Sequence, residues 1–292
     1  MITVARSTDV AAFYQRVHSL LMEDETAHIL PLGLLNSWTQ TGIAPKRLHM
    51  AYSETDQHVQ AVVMRVDGMR AILTRAHTLD GVRALADDLY SDQPDTPGAM
   101  GFPAESRAFV EQWQHLSGQA FRLNRAERIY RLETVIPVNG VRGSLKKAGM
   151  EAADLLADWL RAFELEADPS AQPLPMENYR RGVMMRLESS PAIRGLYVWV
   201  DDGEIVSMAG YAGPTPNGIR VGPVYTPPEK RGHGYASALT AALTQSLLDQ
   251  GRAFVALFTD LSNPTSNAIY QKIGYQPVCD VDEYVFVQPE GG

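Results

Sequence analysis

Two short stretches in the second half of the chain combine residue types that can do chemistry. The first is Pro227-Pro228-Glu229-Lys230-Arg231-Gly232-His233-Gly234-Tyr235-Ala236. It lies between an apolar run ending at Tyr225 and a segment whose apolar residues Tyr235, Ala238, Leu239, Ala242, Leu243 and Leu247 share one helical face, with Gly251 placed to end it. The two prolines stop a strand. The glycines at 232 and 234 let the backbone turn tightly and present its N–H groups where the helix begins. Such N–H groups, with the positive end of the helix dipole, make an anion site, and Lys230 and Arg231 add full positive charge beside it. A pyrophosphate is the natural ligand. Two rivals stand next to that reading: a plain helix start, and a dinucleotide-binding turn. The dinucleotide fingerprint fits poorly, because Ser237 takes the place of its third glycine and no acid ends the next strand before Asp260.

The second stretch runs from Asp260 to Tyr275. Asn263 is a good N-cap, Pro264 suits the first helical position and Gly274 the C-terminal cap, which brackets a helix of about ten residues. Asn263, Asn267 and Tyr270 are spaced i, i+4, i+7 and share a face; Ile269 and Ile273 lie on another and bury it. Taken alone, this pattern also fits an Asn263 that only caps, a solvated Asn267 and a packed Tyr270.

The elements that must position these residues follow from periodicity and breakers. Residues 8–42 read as two helices, the first carried by Val10, Phe13, Val17, Leu20 and Leu21. Leu48 to Ser53, Val59 to Val66 and Ala71 to Thr74 read as an antiparallel run of strands. Helices over about 79–89 and 104–116 follow, separated by the breakers Pro94, Pro97 and Gly98, and Gln119 to Val138 reads as one long strand. The turn residues Asn139-Gly140-Val141-Arg142-Gly143 place a domain boundary there, giving domains of residues 1–138 and 139–292. The second half restarts with the stripe Ala152, Leu155, Leu156, Trp159, Leu160 and Phe163. A loop with Pro169, Pro173 and Pro175 leads to a helix around 179–187, and strands are expected at Gly195 to Val200, Ile205 to Ala212, Ile219 to Tyr225 and Ala253 to Thr259. The first half follows a loosely similar order, which suggests a duplicated fold. The fold class is therefore α/β (α+β), each domain a mixed, mostly antiparallel sheet flanked by helices.

Composition narrows the partners. At 292 residues the chain has room for two domains with substantial cores. With 26 Lys plus Arg against 34 Asp plus Glu, the net charge of −8 repels a polyanion, so no nucleic acid is expected as the main partner. The single cysteine, Cys279, excludes an intrachain disulfide, fits a reducing cytoplasmic setting and reads as a small apolar residue. No apolar run approaches a membrane span, the amino terminus lacks a signal-type apolar region, and none of the seven histidines pairs at a metal-type spacing. No membrane partner and no metal are expected. The histidine inside the turn, His233, is read as offering its backbone N–H and facing solvent.

The string Arg231-Gly232-His233-Gly234-Tyr235-Ala236 fits the Arg/Gln-x-x-Gly-x-Gly/Ala signature of the GNAT acetyltransferase superfamily. Asn263 to Tyr270, followed by Gly274 and Tyr275, resembles that family's second CoA motif, Asn-x-x-(Ala/Ser)-x-x-x-Tyr followed by Gly and an aromatic. The span Val224 to Tyr275 resembles in particular the FR47-like branch, in which a degenerate GNAT domain precedes a complete one; no comparable string occurs over residues 1–138. The resemblance implies tandem GNAT-like domains, acetyl-CoA as cofactor, and transfer of its acyl group to a small-molecule or peptide amine. It implies that Arg231, Gly232, His233, Gly234, Tyr235 and Ala236, with Lys230 beside them, line the pyrophosphate, that Val224, Tyr225 and Thr226 flank the pantetheine arm, and that Asn263 and Asn267 contact the cofactor with Tyr270 near its sulfur. Monomer and homodimer are both open.

Acyl transfer from a thioester to an amine needs a neutral amine, fixed donors for the oxyanion and a proton for the leaving thiolate. Tyr270 is the candidate acid, since a tyrosine of ordinary pKa about 10 can donate to a thiolate whose parent thiol sits near about 8.5. Backbone N–H groups near Val224 and Tyr225 are the expected oxyanion donors. Many relatives carry a glutamate on the strand before the glycine turn, but Ile219 to Thr226 holds no carboxylate, so Asp260, Glu164 and Glu166 are left as candidate bases, and a water relay is a further route. Around the acceptor, Trp159, Phe163, Tyr179 and Met184 or Met185 form either an apolar wall or core. A non-catalytic acyl-CoA sensing or binding protein is the alternative to an enzyme.

Overall fold

The computed structural model describes residues 1–168 and 172–287; Pro169 of the expected Pro-rich loop lies outside them. The first run of elements is β1 (Thr3–Arg6), α1 (Val10–Met22), α2 (Ile29–Thr41), β2 (Leu48–Thr55), β3 (His58–Val66), β4 (Ala71–Leu73), α3 (Leu79–Asp92), β5 (Gly98–Gly101), α4 (Pro103–Ser117) and β6 (Ala120–Leu132). The second is β7 (Ser144–Lys147), α5 (Ala153–Ala167), α6 (Met176–Glu188), β8 (Arg194–Asp201), β9 (Glu204–Ala212), β10 (Gly218–Tyr225), α7 (Tyr235–Asp249), β11 (Phe254–Asp260), α8 (Pro264–Ile273) and β12 (Gln276–Val287). Strand, two helices, three strands, then helix and strand twice over: the order is the same in both runs. The duplication suggested by the sequence is therefore carried by the architecture, which is the mixed, mostly antiparallel α/β arrangement expected.

Three short strands escaped the sequence reading. β1, β5 and β7 have only four residues each, too few for alternation to register, and β5 begins and ends with glycines that read as breakers. In β5 the glycine is a packing requirement. A Cβ on Gly98 would fall onto the Tyr284 carbonyl of β12, with which β5 pairs through Val285↔Gly98 and Tyr284↔Ala99. Gly98→Ala is expected to lower stability by about 1–3 kcal/mol through overpacking against backbone, measured as a shift of the urea midpoint.

The described residues fall into two compact units, one of Met1–Ile129 with residues 278–287 and one of Tyr130–Pro277. This differs from the division at 138/139. Turn chemistry at 139–143 marks a bend in the chain, whereas a compact unit is defined by strand pairing, which is non-local: β12 pairs antiparallel with β5, and the end of β6, from Tyr130, belongs to the second unit.

Each unit is a layered α/β body. In the first, Phe13, Val17 and Leu21 of α1 and Leu32 and Leu35 of α2 pack with Met50, Val62 and Met64, while α3 and α4 bring Leu85, Leu89, Phe109 and Trp113 against Ala51, Val63 and Ala71. Successive strand residues thus bury opposite faces. In the second, α5 and α6 cover Leu196, Val198, Met208 and Tyr225, and α7 covers Ala209, Tyr211, Val221 and Val255. The stripe expected to wall an acceptor divides accordingly: Tyr179 is core, Trp159 packs on Tyr225 at 6.1 Å between ring centroids, and Met185 is exposed. No helix among the described residues is long and apolar enough to cross a membrane.

Candidate functional site

The site is built where β10 and β11 part. Their parallel pairing runs from Gly218↔Phe254 to Arg220↔Ala256, yet β10 continues to Tyr225 and β11 to Asp260. On its other side β10 pairs with β9, with a register shift between Val221 and Val224. The bulge turns backbone donors of the strand's end away from a regular ladder. Val224 and Tyr225 are again paired with β9, and the carbonyl of Tyr225 accepts from the Ser207 hydroxyl at 3.0 Å. Thr226 is fixed by a hydroxyl contact with Ser207 at 2.8 Å.

Beyond Thr226, a single 3-10 turn at Pro228–Lys230 leads to Arg231 and the glycines. Gly232 has φ +84° and Gly234 φ +81°, the left-handed region that L side chains rarely adopt. Gly234 is the N-cap of α7, and the helix start has no side-chain cap; the first intrahelical bond is Ala238 N–H to the Gly234 carbonyl at 3.0 Å. The N–H groups of Tyr235, Ala236 and Ser237 therefore precede the first acceptor of the helix. In the first unit the corresponding helix, α3, is closed by the Thr78 side chain, which accepts from Gly81 N–H at 3.2 Å. Of these two helix starts only α7 keeps its donors open.

The side chains around this turn are bound to the protein more than the sequence suggested. Arg231 donates to the Thr226 carbonyl at 2.9 Å and holds both oxygens of Glu166, at 3.0 and 2.7 Å. Lys230 pairs with Glu204 at 2.6 Å. The Tyr235 hydroxyl donates to Asp201 at 2.6 Å, and Arg142 reaches the same oxygen at 3.2 Å. The Tyr235 hydrogen bond, then Arg142, hold the Asp201 carboxyl below its ordinary range. His233 is exposed and stacks on Tyr235 with centroids 5.5 Å apart. The cradle is thus backbone and dipole, with Arg231 and Lys230 tethered by carboxylates. Glu204, Asp201 and Arg142 were not legible as site residues, because their partners lie in other elements.

The second stretch divides as well. Asn263 Oδ1 accepts from Ser266 N–H at 3.0 Å, as an N-cap should. Asn267 turns inward: its amide donates to the carbonyls of Asp260 and Asn263, each at 2.8 Å, and its oxygen accepts from the Tyr130 hydroxyl at 3.0 Å. The amide's donors and acceptor are thereby spent on the fold. Asn267→Ala is expected to lower stability by about 1 kcal/mol, since it removes three hydrogen bonds, two of them part-buried, and urea unfolding measures it. Asp260 spends one oxygen on Ser262 N–H at 2.7 Å, the behaviour of a turn residue.

Tyr270 is different. Its ring meets Tyr275 edge-on at 6.0 Å, and its hydroxyl has no hydrogen-bond partner among the described residues. Burial of that hydroxyl pushes it up to about 12. It is a donor on a half-buried ring, with its proton firmly bound. Cys279, by contrast, is half-buried in β12, and burial pushes its thiol up to about 11, which removes its nucleophilicity.

An uncapped helix start, two left-handed glycines with no Cβ, and two strands that part beside them fit a pyrophosphate and an extended arm. Residues 154–275 match the family model described as the Acetyltransferase (GNAT) family. Among solved structures the chain is similar to a Drosophila protein (13% identity, TM-score 0.68, covering 99% of each chain). It is similar to a GCN5-related N-acetyltransferase from Sphaerobacter thermophilus (14% identity, TM-score 0.63, 99% of this chain and 96% of that one). A tandem GNAT protein from the clavulanic acid biosynthesis pathway is alike over 100% of both chains, at 15% identity and TM-score 0.62. At these identities the likeness is one of fold. No curated protein matches the sequence.

Proposed function

We propose, from the match of residues 154–275 to the Acetyltransferase (GNAT) family model, that the chain transfers the acetyl group of acetyl-CoA to a primary amine by direct attack. The observation that carries the reading is the start of α7, where three backbone N–H groups and the helix dipole stand open behind two left-handed glycines. Gly232, His233, Gly234, Tyr235 and Ala236 would hold the pyrophosphate through backbone, with Arg231 and Lys230 at its flank, and Val224 to Thr226 would pair with the pantetheine arm where β10 leaves β11. Asn263 would add its free amide group. Asn267 supports the same helix from within.

Acetyl-CoA supplies an acyl thioester. The chain's own residues then have three tasks. Backbone N–H groups at the β10 bulge offer fixed dipoles to a developing oxyanion, in a setting where they need no reorganisation. Tyr270 holds a proton toward the departing sulfur. Among the nearby carboxylates, Glu166 is taken by Arg231 and Tyr225, while Asp260 has its second oxygen without a partner among the described residues, which supports Asp260 as the acceptor of the amine proton. A purely sensing role has less support, since a binder has no use for an unpartnered donor beside the sulfur. We further propose that residues 1–138 and 139–292 are the duplicated domains, the first a degenerate GNAT-like domain without an open helix start.

The test is calorimetric titration with acetyl-CoA followed by amine-dependent thiol release over an amine panel. Micromolar binding and thiol release are expected; failure to bind acetyl-CoA overturns the reading.

A further inference from the structure

One short hairpin of the second unit holds the glycine turn on both sides, and its meaning rests on the acyl-transfer reading above. β8 and β9 are joined by two residues, Asp202 and Gly203, with φ of +51° and +82°. Positive φ at both central positions marks the tight turn whose twist matches that of the strands. It sets Asp201, the last residue of β8, directly opposite Glu204, the first of β9. Residues opposite each other in an antiparallel ladder share a face of the sheet, and two carboxylates so placed repel. The pair is unfavourable unless each finds a partner elsewhere.

Each does, and both partners belong to the glycine turn. Glu204 takes Lys230 at 2.6 Å, before Gly232, and Asp201 takes the Tyr235 hydroxyl at 2.6 Å, after Gly234. The two tethers bracket the glycines whose left-handed φ shapes the turn. They differ in strength. The Glu204 carboxylate is exposed, and an ion pair open to water holds little. Asp201 is only 8% exposed, so its hydrogen bond from Tyr235 is shielded from water. The same Asp201 oxygen accepts from Arg142 at 3.2 Å, and the Arg142 carbonyl accepts from Trp199 Nε1 at 2.7 Å. Beside Arg142, the Val141 methyl stands 2.9 Å from where a Cβ on Gly234 would fall. One buried oxygen thus gathers the segment at 141–142 and the first residue of α7.

We propose that Asp201 is a positioning residue for the glycine turn: through the Tyr235 hydroxyl it fixes the start of α7, and with it the aim of the open N–H groups at a pyrophosphate. Glu204 is the weaker second tether. Asp201 acts by its hydrogen bond and not by its charge, because a negative charge behind an anion site opposes the anion, and Arg142 offsets that charge. The role requires no contact between Asp201 and the cofactor.

The experiment measures the acetyl-CoA Kd, and kcat/KM for acetyl-CoA and for S-acetylpantetheine, which lacks the pyrophosphate, in wild type, Asp201→Ala and Asp201→Asn. Asp201→Ala is expected to weaken acetyl-CoA about tenfold, the scale of a lost hydrogen bond to a charged group, and to leave S-acetylpantetheine unchanged. Asp201→Asn keeps an oxygen that accepts from Tyr235 and Arg142, and is expected to bind acetyl-CoA no more weakly than wild type. Should Asp201→Ala fail to fold by circular dichroism, Tyr235→Phe removes the donor instead and carries the same expected loss. Wild-type affinity in Asp201→Ala, an equal loss in Asp201→Asn, or an equal loss for both acyl donors overturns the positioning role while leaving acyl transfer intact. A separate arm needs no turnover: inorganic pyrophosphate should raise the Tm of wild type and Asp201→Asn by more than that of Asp201→Ala. Absence of acetyl-CoA binding by wild type overturns acyl transfer instead, and the pyrophosphate arm then decides the positioning role by itself.

Discussion

Replacing Gly234 with alanine is expected to weaken acetyl-CoA binding by at least about 100-fold, the loss of roughly two hydrogen bonds to a charged group. The reason is local geometry. Gly234 sits at φ +81°, and a Cβ there would lie 2.9 Å from Val141 Cγ2. An L residue in this conformation costs about 1–2 kcal/mol before any contact is counted. Relief comes from displacing the Val141 methyl or from moving the N-cap, and relaxing the positive φ moves the N–H groups of Tyr235, Ala236 and Ser237 with it. Gly232→Ala is the control: φ is +84°, but a Cβ meets nothing within 4 Å. It should carry the strain of about 1–2 kcal/mol alone, with a smaller loss of affinity. Calorimetry on both variants, with circular dichroism to establish folding, distinguishes a shaped cradle from a merely flexible loop; equal affinities for Gly234→Ala and wild type would show that the helix start is not the binding element.

Tyr270→Phe is expected to lower kcat by about 10²–10⁴-fold, the usual scale for a general acid, with the Kd of acetyl-CoA unchanged. Stability should hardly move. The hydroxyl has no partner among the described residues to be orphaned, and the ring keeps its contact with Tyr275. The pH dependence follows from the direction of the shift. A general acid works in its protonated form, so activity limited by Tyr270 is present below its pKa and lost above it. With that pKa pushed up to about 12, no alkaline limb from this residue falls below pH 11 or so. An ordinary tyrosine would place the limb near pH 10. Wild-type kcat in the phenylalanine variant, or an alkaline limb near pH 10 that the variant removes, counts against the assignment in the first case and against the upward shift of the hydroxyl in the second.

What could be read from residues alone was local. The ends of α8 follow from Asn263, Pro264 and Gly274, all of which act within one or two turns, and the structure places the helix at Pro264–Ile273 with those caps. The glycine turn and the amphipathic α7 are legible for the same reason, because φ restrictions and the 3.6-residue period are properties of neighbours in the chain. The apolar strands β8 to β11 were found from their composition and the turns between them.

The sequence by itself determined the glycine turn and the helix it opens, the caps of α8, and the repeated order of helices and strands. Tertiary structure alone decided how the side chains are used. Arg231 is held by Glu166, 65 residues away, and Asn267 by Tyr130, 137 residues away; no pattern in either segment announces the partner. The return of β12 to β5 is likewise a pairing between distant strands. The hold of Asp201 on Tyr235 spans 34 residues and depends on where the β8–β9 hairpin lands. Backbone conformation is dictated by adjacent residues, while charge pairing and desolvation depend on which atoms the fold brings within a few ångströms.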